Sequence, residues 1–255
     1  MTTPRGQHMT SLPDQMWQRL IEAFSRTALP DVSLAELAIV LLVATALSVP
    51  RATWRYFGLL ATATHELGHA FAAVMSGQRL GGIRLSLDHS GTTTSYSRGR
   101  AAAVWSGFWG YPVPALTGAA LVWAGFNGWG PAALTVGSLV LLMSLLFIRN
   151  IAGFLITSAA AASGAVLALF VPHAFTGHVA IALGLALLVA AVRDVIKLIH
   201  VHLRRRDRLS SSDAYLLYRS TSVPSFIWIA LFLAIVSACW FLAWQPISAI
   251  LVAGA

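Results

Sequence analysis

The chain has 255 residues, of which 57% are hydrophobic and 10% are charged. A soluble domain carries about 25% charged residues, so this composition excludes an ordinary soluble protein and favours a polytopic membrane protein. The formal net charge is +8, but the basic residues lie in loops beside apolar segments. That distribution is typical of membrane orientation and argues against nucleic acid as a partner.

Seven apolar segments approach or exceed the length of about 20 residues that a membrane-spanning helix needs. In chain order they cover residues 34–49, 56–75, 102–126, 131–148, 151–171, 177–196 and 225–244. The sequence therefore predicts an all-α polytopic membrane protein with six or seven transmembrane helices.

The expected organisation follows from these segments. It consists of a cytoplasmic N-terminal segment over 1–32, a transmembrane domain over 33–245 with a basic loop at 199–223, and a C-terminal tail over 246–255. Fifteen of the 17 Lys and Arg residues fall on one side of the bilayer if the N-terminus is cytoplasmic and each segment crosses once. Only Arg51 and Arg55 fall on the other side. Because cytoplasmic loops carry the excess of basic residues, we expect a cytoplasmic N-terminus.

The second apolar segment carries the motif His65-Glu66-Leu67-Gly68-His69. Ionisable residues at the depth of a bilayer are costly and indicate a functional site. Histidines at positions i and i+4 lie on the same face of a helix, so their imidazoles can bind one Zn²⁺. Glu66 is rotated by about 100° from His65, so it can act as the catalytic base without becoming a zinc ligand. The motif therefore predicts a zinc metalloprotease site within the membrane.

A small β-hairpin is predicted directly after this helix, over residues 79–98. Apolar residues alternate with polar ones from Ile83 to Asp88, His89-Ser90-Gly91 favours a turn, and strand-favouring residues follow from Thr92 to Tyr96. The predicted orientation places the hairpin on the cytoplasmic side. It could offer an edge to an unwound substrate segment, or it could be a plain surface hairpin.

A catalytic zinc normally has three protein ligands, so one ligand must come from outside the motif. Of the nine acidic residues, Glu66 is the predicted base and four others lie before or early in the first apolar segment. The remaining candidates are Asp88, Asp194, Asp207 and Asp213. Asp194 is the favoured ligand, because it lies near the inner end of the sixth segment at a depth similar to that of His69.

Other interpretations of these polar residues remain open. Asp194 could instead form an interfacial charge pair with Arg193 or Lys197. Asp213 is the second choice as a ligand, although its surroundings also resemble a helix N-cap. Asn150 could donate a hydrogen bond to a substrate carbonyl or make a polar contact between helices.

The segment Thr64–Ala70 resembles the zinc helix of the site-2 protease clan, peptidase family M50, and in particular the bacterial M50B-like membrane peptidases. The resemblance covers most of residues 60–230. Its weaker parts are the hairpin Gly81–Ser95, Gly110-Tyr111-Pro112, Arg149-Asn150, Arg193-Asp194, and Ser212-Asp213-Ala214 followed by Thr221 and Pro224.

The resemblance implies a zinc-dependent intramembrane protease with His65 and His69 as ligands and Glu66 as catalytic base. Its partners would be the lipid bilayer, in a bacterial plasma membrane, and a membrane-anchored protein substrate. Family members carry the third ligand in an Asp-Gly motif, which this chain lacks, so the resemblance does not assign that ligand. A catalytically inactive membrane scaffold or regulator and a small metal or proton transporter are the alternative functions.

Overall fold

The computed structural model describes residues 17–19, 21–96 and 99–254, with their side chains except those of Arg206 and Arg208. Residues 1–16 of the predicted N-terminal segment lie outside this description. The helices are α1 (Leu34–Ser48), α2 (Arg51–Met75), α3 (Arg100–Phe108), α4 (Pro112–Phe126), α5 (Gly130–Ser144), α6 (Ile151–Phe170), α7 (His173–Arg204), α8 (Asp213–Thr221) and α9 (Ser225–Ala253). Strands β1 (Arg79–Leu85) and β2 (Gly91–Tyr96) form an antiparallel pair between α2 and α3.

Four of the described helices are long and apolar enough to cross a membrane: α5 with its 3₁₀ extension to Phe147, α6, α7 and α9. The pair α1 and α2 passes the same test together, with a bend of 85° between the two helices, and α4 is a shorter apolar helix. The protein is therefore a helical integral membrane protein, as predicted. The described helices do not confirm the expected number of six or seven crossings.

The predicted third span, residues 102–126, is wrong as a single helix. The structure divides it into α3 and α4 at the turn Trp109–Tyr111. Proline has no backbone N–H to donate and its fixed φ suits the first helical turn, so Pro112 begins a new helix instead of kinking an existing one.

Two segments predicted to be irregular are largely helical. In the predicted basic loop 199–223, α7 continues to Arg204, a 3₁₀ turn covers Arg206–Ser211, and α8 follows. In the predicted tail 246–255, α9 continues to Ala253 with Pro246 inside it. Hydropathy located the apolar centre of each helix but not its polar or terminal turns.

Helices α4 and α7 approach each other closely in the core because paired glycines face one another. A Cβ atom added to Gly118 would lie 2.7 Å from the carbonyl oxygen of Gly184, and one added to Gly184 would lie 2.5 Å from that of Gly118. Gly125 and Gly177 repeat this reciprocal contact at 2.6 and 2.9 Å. Small residues allow such backbone contact between membrane helices. The order of the two pairs makes α4 and α7 antiparallel.

The N-terminal segment packs against the end of the bundle where α4 and α6 finish. The Nε of Arg26 donates a hydrogen bond to the carbonyl oxygen of Asn127 at 3.0 Å. The Nη1 of Arg19 donates to the carbonyl oxygen of Leu169 at 2.9 Å. These bonds satisfy carbonyl oxygens at the C-terminal ends of helices, which have no partner within their own helix.

The bend between α1 and α2 lies at the opposite end of the bundle. There Arg193, in the C-terminal half of α7, donates hydrogen bonds to the carbonyl oxygens of Ser48 and Val49 at the end of α1. Its guanidinium group also lies 3.9 Å from the centre of the Trp54 ring on α2. Arg193 thus holds the first turns of α2 against α7.

The predicted hairpin is confirmed as a two-stranded antiparallel pair, with Arg79 opposite Tyr96 and Leu85 opposite Gly91. The hairpin lies along α2 and folds back toward its N-terminal half. At the tip, a ring nitrogen of His89 lies 3.2 Å from the carbonyl oxygen of Arg55. The hairpin therefore covers the face of α2 that carries Glu66.

The outer edge of β1 is occupied by the segment that joins α5 to α6. The N–H of Arg149 donates to the carbonyl oxygen of Ile83 at 2.9 Å, and Ile148 forms a parallel bridge with Ile83. Among the described residues, β2 has no strand partner other than β1. One edge of the small sheet is thus closed and the other is unpaired.

We expect Gly184→Leu to destabilise the fold, because its side chain would separate α4 from α7. Overpacking of this kind costs about 1–3 kcal/mol or more. Thermal unfolding in detergent, followed by circular dichroism, measures the effect. Gly137→Leu on α5 is the control, since no atom lies within 4 Å of a Cβ added at that glycine. Equal melting temperatures for the two variants would contradict the described contact.

Candidate metal centre

Helix α2 brings the two motif histidines together, as their spacing predicts. The Nε2 atoms of His65 and His69 are 3.1 Å apart. The rings meet edge to face, with their centroids 4.9 Å apart. Both side chains are largely buried, with 16% and 13% of their surface exposed. The two nitrogens therefore face a common point away from bulk solvent.

Asp213, the first residue of α8, supplies a carboxylate at the same point. Its Oδ2 atom is 3.2 Å from Nε2 of His65 and 3.3 Å from Nε2 of His69. In the described part of the chain, these three residues are the one group of three or more His, Cys, Asp or Glu residues whose potential ligand atoms lie within 4.8 Å of one another.

The separations of these three atoms fit a tetrahedral metal ion. Zinc binds imidazole nitrogen and carboxylate oxygen at about 2.0–2.2 Å, which places the ligand atoms of a tetrahedral site about 3.3–3.6 Å apart. The observed separations of 3.1, 3.2 and 3.3 Å are close to that value. Three ligands leave the fourth position open, which is the arrangement of catalytic rather than structural zinc sites.

The geometry supports Asp213, the second choice from the sequence, over the preferred Asp194 as the proposed third ligand. Asp194 is not in the group of converging ligand atoms. It lies half-buried on α7, close enough to His65 for an electrostatic interaction. Its predicted depth in the membrane, similar to that of His69, correctly indicated that Asp194 lies near the site. Depth alone does not determine which helix supplies the ligand, and α8 approaches the histidines from another side.

The carboxyl group of Asp213 is held in the form that can bind a cation. Burial raises its pKa, but the positive charge of His69 and hydrogen bonds from both histidines outweigh burial. The net effect holds the pKa of Asp213 below its ordinary value. Metal binding requires a deprotonated carboxylate and neutral imidazoles, so a metal ion would replace the histidine protons that face Asp213.

The orientation of His69 is fixed by a second contact. Its Nδ1 atom lies 2.8 Å from the carbonyl oxygen of Ser106 on α3. Because a carbonyl oxygen can only accept, Nδ1 carries the hydrogen and donates it. Partners of this type fix the tautomer and orientation of metal-binding histidines. They leave Nε2 free for the metal. Nothing in the sequence indicates this partner, because any residue type can offer a backbone carbonyl.

The turn between α3 and α4 packs directly on the site through glycine. A Cβ atom added to Gly110 would collide with Nε2 of His69 and lie 2.7 Å from Nε2 of His65. On α2, a Cβ added to Gly68 would lie 2.5 Å from the carbonyl oxygen of Trp109. The two glycines thus allow the turn and the helix to touch. Gly110 leaves empty the space between the ligand atoms.

Glu66 is buried beside the histidines, with 6% of its surface exposed. The hydroxyl of Thr93 on β2 donates to its Oε2 atom at 2.7 Å. The same hydroxyl lies 3.0 Å from the backbone carbonyl oxygen of Glu66. A Cβ added to Gly91 would lie 2.6 Å from Oε1. Strand β2 therefore orients this carboxylate through the Thr93 hydroxyl. Gly91, which has no side chain, leaves room for it.

Asn150 has a role that neither sequence-based interpretation described. Its Nδ2 donates to the carbonyl oxygen of Leu85 at 2.7 Å, and its Oδ1 accepts from the N–H of Leu85 at 3.2 Å. The side-chain amide thus makes the two backbone hydrogen bonds that a neighbouring strand would make at the end of β1. It ties the sheet to the start of α6.

The fold and the site together define a class of protein. A bundle of apolar helices contains an HExxH helix, and a carboxylate from another helix completes a set of three ligand atoms. This is the arrangement of a metallopeptidase built into a membrane protein. The family comparison agrees: residues 38–243 match the sequence model of the Peptidase M50B-like family, and the chain belongs to that family. Neither the curated proteins nor the solved structures contain a match to it.

We expect Asp213→Ala to lose bound zinc and Asp194→Ala to keep it, because only Asp213 places an oxygen between the histidines. Elemental analysis of purified protein after zinc loading measures the content, with about one zinc per chain expected in the wild type. His65→Ala is the positive control for loss. Zinc retained in Asp213→Ala and lost in Asp194→Ala would restore the ranking made from the sequence.

We expect Gly110→Ala to abolish zinc binding although every ligand is kept, because the new methyl group would occupy the space between the ligand nitrogens. Gly107→Ala in α3 is the matched control, since its Cβ would meet only Leu217, at an ordinary distance of 3.4 Å. The same elemental analysis tests both variants. Equal zinc content in the two proteins would show that the turn does not contact the site as described.

Proposed function

We propose that the protein is a zinc-dependent intramembrane peptidase of the site-2 protease type, which hydrolyses peptide bonds in or near membrane-spanning segments. The observation that supports it most is the convergence of His65, His69 and Asp213 at tetrahedral separations. Imidazole and carboxylate ligands of this number and geometry favour zinc. Glu66, on the same helix as the two histidines, would supply the general base.

Glu66 is the proposed general base. Bound zinc would polarise the scissile carbonyl and lower the pKa of a coordinated water. The carboxylate of Glu66 would accept the proton of the attacking water and later deliver it to the nitrogen of the leaving amine. The hydrogen bond from Thr93 holds one carboxylate oxygen of Glu66. The other oxygen, next to Gly91, is left to exchange the proton.

The proposed substrate is a membrane-anchored protein that enters the site in extended form. A peptide bond inside a helix has its carbonyl hydrogen-bonded and shielded, so the substrate must unwind before attack. The unpaired edge of β2 can accept such a segment as an added strand. Thr93 lies in that strand and contacts Glu66, so a peptide paired with β2 would run past the proposed base. A free strand edge within a membrane protein also needs a partner or water.

The structure suggests a different orientation from the one predicted by sequence. The sequence-based orientation takes α1 and α2 as separate crossings, which leaves Arg51 and Arg55 on the external side. The 85° bend places both residues at the end of the bundle that also holds Arg193. The positive-inside rule then favours a cytoplasmic location for that end, and an external one for the segment that contains Arg19 and Arg26.

The two alternative functions gain less support. The inactive-scaffold hypothesis rested on the missing Asp-Gly motif, and Asp213 offers a third ligand without that motif. The transporter hypothesis requires a relay of ionisable groups across the membrane. In the described residues, the acids and histidines of the metal centre gather at one end of the bundle. No specific observation favours either alternative over a peptidase.

We expect Glu66→Gln to keep zinc but to reduce cleavage by about 10²–10⁴-fold, since the amide cannot accept the proton of water. The probe is a set of single-span model peptides, labelled with a fluorophore and a quencher on either side of the apolar segment and assayed with protein in detergent. Zinc content is measured on the same samples.

Glu36→Gln is the matched control for this experiment. Glu36 lies at the start of α1, where its carboxylate accepts hydrogen bonds from Ser33 in a capping box, and glutamine preserves that role. We expect this variant to cleave the probes like the wild type. Cleavage retained in Glu66→Gln would contradict the mechanism. Cleavage lost equally in both variants would point to general instability rather than to a missing base.

A further inference from the structure

Helix α8 points its N-terminal end at the metal centre. Its first residue is Asp213, whose Oδ2 atom lies 3.2 and 3.3 Å from the Nε2 atoms of the two motif histidines. In an α-helix the Cα–Cβ bonds tilt toward the N-terminus, and the free N–H groups of the first turn point in the same direction. The first N–H groups of α8 therefore face the region that holds the Asp213 carboxylate.

Two backbone donors in this turn have no acceptor. The N–H groups of Tyr215 and Leu216 both donate to the carbonyl oxygen of Ser212, at 3.0 and 2.9 Å. Among the described residues, nothing accepts from the N–H groups of Asp213 and Ala214. Ala214 is 0% exposed, so bulk water does not reach its N–H. The nitrogen of Ala214 lies within about 6 Å of Oδ2 of Asp213, because only the atoms of Asp213 separate them.

The hydroxyl of Ser212 is a third donor at the same helix end. Ser212 is the N-cap residue of α8, a position where a serine hydroxyl normally accepts a hydrogen bond from the first turn. Here the hydroxyl makes no capping bond. The residue is only 8% exposed, and in the described part of the chain its Oγ atom is buried without a partner.

Buried donors without acceptors are costly, and native proteins contain few of them. Two such donors, the Ser212 hydroxyl and the Ala214 N–H, flank the proposed metal ligand on both sides in sequence. The macrodipole of α8 adds positive potential at the same end of the helix. Hydrogen-bond donors and positive potential at a helix N-terminus together favour a negatively charged oxygen.

Peptide hydrolysis produces an oxygen of this kind. When water attacks the scissile carbonyl, a carbon–oxygen bond forms and the electron pair of the carbonyl moves onto its oxygen. Donors aimed at this developing charge lower the barrier. When the intermediate collapses, the pair returns, the carbon–nitrogen bond breaks, and the amine leaves with the proton carried by Glu66.

We propose that the N-terminal turn of α8 is the oxyanion hole, in which the Ser212 hydroxyl and the Ala214 N–H donate hydrogen bonds to the oxygen of the scissile carbonyl. This inference rests on the proposed peptidase function and assigns further catalytic groups to it. Both donors keep their protons, so the step needs no additional reactant. One turn would thus supply a metal ligand and the donors beside it.

Ser212→Ala tests the hydroxyl, because it removes a donor that makes no hydrogen bond in the structure. We expect unchanged zinc content and a melting temperature no lower than that of the wild type, since an unsatisfied buried group is lost. The kcat for the single-span peptide probes should fall by about 10²–10³-fold with a similar KM. Binding of a phosphinic analogue of one probe, which mimics the tetrahedral intermediate, should weaken as well. Ser138→Ala is the control, since that buried hydroxyl donates to Leu134 within α5.

An amide-to-ester replacement tests the backbone donor. Lactic acid incorporated at position 214 keeps the methyl group of Ala214 and replaces its N–H with an oxygen atom. We expect the same pattern of retained zinc, reduced kcat and weakened phosphinate binding. The matched control is the same replacement at Ala174, which is also the second residue of its helix, α7, but lies at the opposite end of the bundle.

The outcomes separate this inference from the function on which it rests. Wild-type kcat and phosphinate affinity in either variant would overturn the proposed pair of donors while leaving the peptidase intact. Loss of zinc or a lower melting temperature in Ser212→Ala would assign the hydroxyl a structural role and would also overturn the proposal. If zinc-loaded wild-type protein neither cleaves the probes nor binds the phosphinate, the peptidase function fails and the oxyanion hole fails with it.

A competing donor lies in the turn that packs on the histidines. The Nε1 atom of Trp109 is buried and has no partner among the described residues. Trp109→Phe removes this donor and is measured beside the α8 variants. Phosphinate affinity lost in Trp109→Phe and kept in Ser212→Ala would place the donor on the turn and overturn the assignment to α8.

Discussion

The contact between α2 and the turn Trp109–Tyr111 is the constraint on which the rest of the site depends. Gly68 and Gly110 have no side chains at the point where the two backbones meet. Their close approach brings Ser106 within hydrogen-bond distance of His69 and places the ring of Tyr111 against His65. Larger residues at these positions would separate the histidines from the elements that orient them.

The sequence predicted the parts of the site that depend on local periodicity. The i, i+4 spacing of the histidines and the position of Glu66 between them require only that residues 65–69 be helical, and the apolar run guaranteed a helix. The hairpin was equally local, since alternation and a turn signal over Ile83–Gly91 define it. Both features would have been recognised without any knowledge of the remaining chain.

The third ligand could not be predicted in this way, because its position depends on tertiary packing. Asp194 and Asp213 both lie near the correct end of the bundle, and hydropathy cannot distinguish them. The choice is made by the packing of α8 against α3, which turns the first residue of α8 toward the histidines. Pro112 lies within the predicted third span, but a proline alone does not distinguish the start of a new helix from a kink in an existing one.

Three acidic residues of the chain are concentrated at the metal centre. The chain carries only nine acidic residues against 17 basic ones, yet Glu66, Asp194 and Asp213 gather around one pair of histidines. Carboxylates in a membrane protein are costly unless they are paired or functional. The surrounding basic residues and the imidazoles reduce that cost, and a divalent cation would reduce it further.

The ligand set joins parts of the chain that are far apart in sequence. His65 and Asp213 are separated by 148 positions, so a cation bound between them closes a loop that contains α3 to α7 and the hairpin. Cross-links that close long loops restrict the separated state most strongly, and a ligand that binds only the assembled state stabilises it by mass action. In a bilayer, separated helices remain helical. The metal would therefore stabilise the association of the helices. The integrity of the whole bundle would then depend on the metal supply of the cell.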